Sequence, residues 1–319
     1  MKTATPTRPA EPDLQRFANP LVRYFAATRP AFLSVTIVGC LIGIASAHAD
    51  GVPIDPWLAA LTMACALIAH AAGNVINDYH DAESGADAAN TGRIYPFTGG
   101  SRFIQNGVID ARQTARFGYA LFAVVVPGGL WLVAQSGPAL LAIGLAGLVL
   151  GWAYSAPPLK LASRGLGEAA VAACWLLVVV GADFVQREEF GWMPVAAGLS
   201  FALLVANLLF INQFPDHDGD AASRKRTLVV MLGPDTAAWL YLAIALSAYI
   251  WLILQVGRYN LPQACAGAAL TLLLSFHAAR ALREHATEPQ LLAPAIKLTI
   301  AAATLHGLVI AATLAFADR

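Results

Sequence analysis

The chain contains little charge: Asp, Glu, Lys and Arg make up 13% of its 319 residues, about half the share in an average soluble protein. Hydrophobic residues make up 58%. The 20 Lys and Arg balance the 20 Asp and Glu, so the net charge is zero. No basic surface of the kind that binds nucleic acid is indicated, and a soluble globular enzyme is excluded. The composition predicts a membrane protein.

Cysteine is also rare, and the four cysteines form neither a disulfide framework nor a CxxC metal motif. Cys40, Cys65, Cys174 and Cys265 all lie in apolar segments, where a thiol is an ordinary packing residue. Residues 1–29 contain no short apolar stretch followed by a cleavage site, so we do not expect them to be a signal peptide. These residues predict a cytoplasmic tail, followed by a single transmembrane domain over the rest of the chain.

Long apolar runs are abundant. A helix needs about 17 to 25 mostly apolar residues to cross a hydrocarbon core of about 30 Å. The sequence therefore predicts an all-α, polytopic membrane protein with nine transmembrane helices. The predicted spans are 31–48, 56–78, 114–134, 138–156, 166–186, 193–215, 235–256, 260–281 and 293–316.

The distribution of Lys and Arg predicts the orientation. With the N-terminus in the cytoplasm and nine spans, all Lys and Arg fall on the cytoplasmic side except Arg187, Arg258 and Arg319. Cytoplasmic loops are enriched in these residues. We therefore expect a multi-pass protein of the inner (cell) membrane, in contact with membrane lipids, with the loops after the second, fourth and sixth spans in the cytoplasm.

An acidic cluster, NQFPDHDGD, stands at the end of the sixth span. Its Asn212, Asp216 and Asp220 are spaced i, i+4 and i+8, so on an α-helix they drift only about 40° per step. Three oxygen-bearing side chains then share one helix face. Isolated carboxylates are costly beside hydrocarbon, and such a cluster indicates a bound cation or a wet functional cavity.

A matching cluster, NDYHDAESGAD, ends the second span. Asn77 and Asp81 repeat the i, i+4 step, but Gly85 stands at the third position and the next carboxylate is Asp87. Asp87 would be off the stripe in a straight helix. We therefore predict that Gly85 ends the helix and lets the chain fold Asp87 back.

Basic residues follow both acidic clusters: Arg93 and Arg102 after the first, and Lys225 with its two neighbouring arginines after the second. Carboxylate and amide oxygens suit Mg²⁺, and Arg or Lys suits phosphate oxygens. The two clusters together predict a two-sided clamp for a magnesium-bound diphosphate. Solvated loops, or a cation transport pathway, are the alternatives that these residues leave open.

The motifs resemble those of the UbiA superfamily of intramembrane prenyltransferases. NDYHDAESGAD and NQFPDHDGDAASRKRTLVVMLG are similar to its two aspartate-rich motifs, and YSAPPLKLASRGLGE at 154–168 is similar to the loop between them. The form of the first motif, together with FPDHDGD and KRTLVV, is more similar to the 1,4-dihydroxy-2-naphthoate branch than to the 4-hydroxybenzoate branch. The resemblance implies one domain over 30–319, with motifs at 77–87, 154–168 and 212–220.

That resemblance implies a helix bundle around a central cavity that opens to lipid and is capped by the motif loops. It also implies transfer of a polyprenyl group from a polyprenyl diphosphate to an aromatic acceptor, most similar to 1,4-dihydroxy-2-naphthoate transfer in menaquinone biosynthesis. Other acceptors stay open. The implied cofactor is Mg²⁺, with two ions held by Asn77, Asp81, Asp87, Asn212, Asp216 and Asp220.

Further roles follow from the same resemblance. Asp81, Asp216, Tyr154 and Lys225 are the expected catalytic residues. Residues expected to bind substrate are Arg93, Arg102, Lys160, Arg164 and Arg226.

The central loop carries an open alternative. Tyr154, with Lys160, Arg164 and Glu168, could orient or deprotonate the acceptor, or could be an interfacial aromatic among loop charges. Within the fourth span, the small residues at 144, 147 and 151 predict close helix packing.

Overall fold

The computed structural model describes residues 10–317, and these residues form twelve α-helices. The first nine residues of the predicted tail, and Arg319, lie outside this range. The helices are α1 (Pro20–Ala27), α2 (Ser34–Ala49), α3 (Pro56–Ser84), α4 (Ala86–Ala89), α5 (Ala111–Ser136), α6 (Ala139–Ala153), α7 (Gly167–Arg187), α8 (Met193–Ala222), α9 (Leu228–Leu232), α10 (Pro234–Gly257), α11 (Leu272–Glu284) and α12 (Ala293–Ala315).

Eight helical segments of the described chain are long and apolar enough to cross a membrane. They are α3, α5, α7, α8, α10, α12, and two in which a 3₁₀ turn leads into an α-helix: Pro30–Ala49, containing α2, and Gln263–Glu284, containing α11. The described residues form no β-strand, only one isolated bridge between Arg164 and Arg226. The prediction of an all-α polytopic membrane protein is confirmed.

Helix α6 is apolar but shorter than any of these eight segments, with 15 residues and a length of about 22 Å. It nevertheless runs between the same two ends of the bundle as its neighbours. Just before it, the Ser136 hydroxyl donates to the Val185 carbonyl at 3.0 Å, near the end of α7. Just after it, the Tyr154 ring lies beside Gly167, at the start of α7. The count of nine crossings and the orientation stay predictions.

The end of the bundle away from the motifs is tied together by one arginine. Arg187 binds Asp183 at 2.8 Å and Asp50 at 2.7 Å, which joins α7 to the end of α2. Beside it, the Gln186 side chain accepts a hydrogen bond from the Asp55 backbone at 2.8 Å. These polar contacts close the loop between α2 and α3 against α7.

The three motif loops meet at the opposite end, which we call the mouth. Lys225 Nζ, after α8, lies 2.9 Å from Asp81 Oδ2 at the end of α3. The backbone N–H of Arg226 donates to the Ser163 carbonyl in the central loop at 3.3 Å. Residues far apart in sequence therefore form one cluster at the mouth.

The bundle has a packed half and a hollow half. Helices α2, α8, α10 and α12 pack around fully buried Phe201, Leu252 and Ile310. A buried histidine, His306, is hydrogen-bonded to Ser200 at 3.0 Å in this half, so its polarity is satisfied inside the protein. Helices α3, α5, α6 and α7 instead surround a cavity, which α2 and α8 close on its other side.

Two residues shape the helix ends at the mouth. Gly85 has a φ of +79° and ends α3, which allows the chain to turn into the short helix α4 that carries Asp87. The predicted break at Gly85 is confirmed. Pro215 lies inside α8 and cannot donate to the Ile211 carbonyl, so the α-helical ladder is interrupted within the second motif.

Candidate active site

An apolar cavity of about 500 Å³ extends from the mouth into the hollow half of the bundle. Its wall is mostly apolar, and residues such as Leu132, Leu140 and Val185 line its far part. Polar side chains line the mouth: Arg29, Asn77, Tyr154 and Asn212 among them. Such a cavity suits a molecule with an apolar chain and a polar head.

Lys225 joins the two acidic motifs. Its Nζ atom lies 2.9 Å from Asp81 and 3.5 Å from Asp220, and its side chain is largely buried. Burial lowers the pKa of Lys225, but the two carboxylates outweigh burial and raise the pKa well above its usual range. The mouth therefore contains a charged ammonium group at neutral pH, between carboxylates from different motifs.

Asp216 faces the loop between α4 and α5. Its Oδ1 accepts a short hydrogen bond from Asn90 Nδ2, and its Oδ2 accepts from the Gly99 backbone at 3.4 Å. This loop thus folds back over the second motif. Asn90 was not a predicted site residue, because nothing in the sequence near it indicates a contact with residue 216.

Asp87, on the short helix α4 after the break at Gly85, contacts the same loop. Its carboxylate accepts from Gln105 Nε2 at 3.1 Å, and Gly100, with a φ of +75°, lies so close that a Cβ there would collide with Asp87. Burial, together with the negative charges of Asp81 and Asp78, raises the pKa of Asp87 to about 8.

The six predicted metal ligands lie around the mouth, but their side chains do not converge on a single point. Asn77 Nδ2 donates to Asp81 at 3.1 Å, and Asn212 Oδ1 is a buried acceptor with no hydrogen-bond donor. Within residues 10–317, no three His, Cys, Asp or Glu side chains converge closely enough to hold a metal ion. Their assignment as ligands stays a prediction.

Arg93 and Arg102, expected to bind substrate, are occupied by a carboxylate of the N-terminal segment. Glu11 accepts from Arg93 Nε at 2.8 Å and Nη2 at 2.7 Å, and lies 3.7 Å from Arg102 Nε. Asn106 also donates to Glu11, and Arg102 donates to the Asp87 carbonyl. The described part of the segment before α1, residues 10–19, was predicted to belong to a cytoplasmic tail and is instead part of the cap over the mouth.

Three other expected substrate residues lie at the rim. Lys160, Arg164 and Arg226 are exposed, and Arg164 donates to the Pro158 carbonyl at 2.7 Å. None of the three has an ion pair with the motif carboxylates. Tyr154, by contrast, lines the cavity directly.

Arg29 lies at the site but was not predicted from the sequence to be a site residue. It stands immediately before the first span, lines the cavity and forms a short ion pair with Asp78. Asp78 also accepts from the Ser101 backbone at 3.3 Å. The signal that could have found Arg29 is a lone arginine at the very start of an apolar span, opposite an unassigned aspartate of the first motif.

Glycines form part of the cavity wall. Gly144, Gly147 and Gly151 of α6 line the cavity, and a Cβ at any of them would meet no atom within 4 Å. The prediction that they permit close helix packing is wrong. Their lack of a side chain instead leaves space inside the cavity.

Fold and site together define the class: an integral membrane protein with a cavity whose apolar wall suits a hydrocarbon chain and a mouth whose acidic and basic groups suit an anionic head. Residues 36–315 match the UbiA prenyltransferase family. The chain belongs to this family and is a transferase of prenyl groups.

Relatives and solved structures agree with this assignment. The chain is 26% identical over 227 residues to a 1,4-dihydroxy-2-naphthoate octaprenyltransferase of Bacillus subtilis, with 71% of each chain covered. A UbiA homologue of Aeropyrum pernix in its apo form superposes with a TM-score of 0.64 at 21% identity, covering 86% of this chain and 96% of that one. A UbiA homologue of Archaeoglobus fulgidus bound to GPP and Mg²⁺ gives 0.57 at 14% identity, covering 90% and 99%. At these identities the structural likeness concerns the fold.

Proposed function

We propose that this protein transfers a polyprenyl group from an allylic polyprenyl diphosphate to 1,4-dihydroxy-2-naphthoate, with Mg²⁺ as cofactor, in menaquinone biosynthesis. The observation that supports this proposal most directly is that Lys225 pairs with both Asp81 and Asp220 at the mouth of an apolar cavity. The Bacillus subtilis relative supports the naphthoate acceptor. The positive-inside pattern supports a cell-membrane protein with its motif loops in the cytoplasm.

Mg²⁺ fits the side chains at the mouth. Two carboxylates, Asp81 and Asp220, share a single lysine, and Asn212 Oδ1 is a buried hard oxygen without a donor. Hard oxygen ligands of this kind are those that Mg²⁺ prefers. When bound, Mg²⁺ would neutralise the diphosphate and stabilise its developing charge. The ligands would be Asn77, Asp81, Asp87, Asn212, Asp216 and Asp220.

The chain's own residues would bind and orient the two substrates. The apolar wall takes the prenyl tail, and Lys225 donates to outer diphosphate oxygens. As the allylic C1–O bond breaks, its electron pair leaves with the diphosphate, and a ring carbon of the acceptor bonds to C1. That ring carbon is the one that carries the carboxylate: its bond to the carboxylate breaks, the electron pair restores the aromatic ring, and CO₂ leaves. The loop between α4 and α5 would keep water from the allylic cation, and Tyr154, which lines the cavity, would contact the acceptor.

An acceptor screen tests this proposal. The purified protein in lipid is supplied with farnesyl diphosphate, Mg²⁺ and either 1,4-dihydroxy-2-naphthoate or 4-hydroxybenzoate, and products are identified by mass spectrometry. We expect a prenylated, decarboxylated naphthoate that disappears with EDTA. Product from 4-hydroxybenzoate alone would contradict the acceptor, while product that persists in EDTA would contradict the cofactor.

Gly147→Leu is expected to shorten the prenyl tails that the enzyme accepts. The new side chain would project into the cavity, since nothing lies within 4 Å of a Cβ there. We expect kcat/KM for a long-chain diphosphate to fall about tenfold or more relative to geranyl diphosphate. Ala146→Leu is the matched control, because Ala146 is exposed on the same helix and does not line the cavity. An equal loss for both tail lengths would contradict the role of Gly147.

Glu11→Gln is expected to lower KM for the prenyl diphosphate about three- to tenfold at unchanged kcat. The Glu11 carboxylate competes with an anionic substrate for Arg93 and Arg102, and the amide competes less strongly. Steady-state kinetics measures the change. Asp13→Asn is the control, because Asp13 bonds only within its own exposed turn. A raised KM would instead mean that Glu11 holds the two arginines in place for the substrate.

A further inference from the structure

A buried carboxyl group at the start of α7 has no cationic partner. Glu168 is 6% exposed, and its one hydrogen-bonding side-chain partner is Gln213 of α8, whose Nε2 donates a short bond to Glu168 Oε1. Among the described residues, no Lys, Arg or His forms an ion pair with it. An ionised carboxylate in such a position is costly.

Two further oxygens in this pair lack donors. Glu168 Oε2 and Gln213 Oε1 are both buried acceptors without a hydrogen-bond partner. A carboxyl group and a carboxamide have the same planar shape and can pair side by side. One proton on Glu168 Oε2 would then donate to Gln213 Oε1 and satisfy both oxygens. If the Gln213 amide were rotated by 180°, its Oε1 would face Glu168 Oε1. A proton on the carboxyl group would then be needed between these two oxygens as well.

We propose that Glu168 is a neutral carboxylic acid that pairs with Gln213 through two reciprocal hydrogen bonds and positions the second motif. Gln213 precedes Phe214 and follows Asn212, just before Pro215 interrupts the α8 ladder. The pair therefore anchors α8 to α7 where α8 loses a backbone hydrogen bond. Because Glu168 carries no charge, it adds no repulsion against an anionic diphosphate.

The neighbouring groups agree with a neutral Glu168. The Tyr154 ring lies beside Gly167, and Lys160 and Arg164 of the central loop are exposed. Lys225 is engaged by Asp81 and Asp220. A protonated Glu168 cannot act as a base, so Glu168 does not deprotonate the acceptor. Its positioning role depends on the proposed function, whereas its protonation does not.

Glu168→Gln is the discriminating variant, because an amide reproduces both hydrogen bonds of the neutral acid without a charge. We expect Glu168→Gln to keep kcat and KM within about twofold of the wild type, and Glu168→Leu and Gln213→Leu to lose about tenfold or more in kcat. If the leucine variants fail to fold, the glutamine variant alone still decides. A loss in Glu168→Gln as deep as in Glu168→Leu would show an ionised, acting carboxylate and overturn the proposal.

Infrared spectroscopy of the substrate-free protein at neutral pH tests the proton directly. We expect the wild type to show a protonated-carboxyl C=O band that is absent in Glu168→Gln. The matched control is Glu188→Gln at the other end of α7, where Glu188 is exposed and the band should stay. Identical spectra for wild type and Glu168→Gln would overturn the proposal. Since this spectrum requires no turnover, a failed acceptor screen leaves its result unaffected.

Discussion

Replacing Asp81 with Ala is expected to reduce prenyl transfer at least about a thousandfold, without unfolding the protein. Asp81 stands where three groups meet: Lys225 Nζ at 2.9 Å, Asn77 Nδ2 at 3.1 Å and, through the shared lysine, Asp220. Its removal leaves Lys225 with one carboxylate and takes one of the proposed Mg²⁺ ligands from the mouth. Asp216→Ala should have a similar effect, because Asp216 serves the opposite motif.

The measurement is product formation by mass spectrometry at saturating substrate and Mg²⁺, with circular dichroism to verify helix content. Each motif offers a matched control. Glu83 is exposed in the first motif, and the Asp218 side chain is 94% exposed in the second. Glu83→Ala and Asp218→Ala should therefore stay near wild-type activity. Retained Mg²⁺-dependent transfer in both Asp81→Ala and Asp216→Ala would contradict the clamp.

The helix-end motifs could be predicted because their information is local. The i, i+4 spacing of Asn77 and Asp81 places both on one helix face, and a glycine at the next position is a strong stop signal. The structure accordingly ends α3 at Ser84, with Gly85 at a φ of +79°. Hydrophobic length likewise predicts the membrane spans, because the thickness of the bilayer sets it.

Contacts between distant segments could not be predicted in the same way. Asn90 meets Asp216 across 126 positions, and Glu11 meets Arg93 across 82. Such pairs depend on how the loop after α4 folds back, and the hydrophobic periodicity of the sequence does not predict the course of a loop. The position of a basic residue beside a motif in the sequence therefore does not predict which carboxylate it pairs with. Arg93 and Arg102 pair with Glu11 of the N-terminal segment in this structure.

Small residues within a span are ambiguous for a related reason. Gly144, Gly147 and Gly151 share a helix face, which fits either a close helix contact or the wall of a cavity. Only the positions of the surrounding helices separate the two cases. Here α6 turns this face toward the space between α3, α5 and α7.

Lys225→Ala is expected to raise KM for the prenyl diphosphate about a hundredfold, with a smaller loss in kcat. The buried ammonium is the one cation of the second motif that reaches both acidic clusters, at 2.9 Å from Asp81 and 3.5 Å from Asp220. Without it, the mouth keeps its carboxylates and loses the proposed donor to the outer diphosphate oxygens. Lys225→Arg should recover part of the loss, because the charge is kept while the shape changes.

The neighbours of Lys225 provide the control for this result. Arg224 and Arg226 flank it and are exposed, so Arg224→Ala and Arg226→Ala should shift KM by less than about threefold. A large effect of Arg226→Ala would mean that the rim arginine turns inward when substrate binds. A changed acceptor preference in Lys225→Ala, with unchanged affinity for the diphosphate, would instead place Lys225 on the acceptor side. The ratio of KM values for the two substrates therefore separates a diphosphate-binding lysine from an acceptor-binding one.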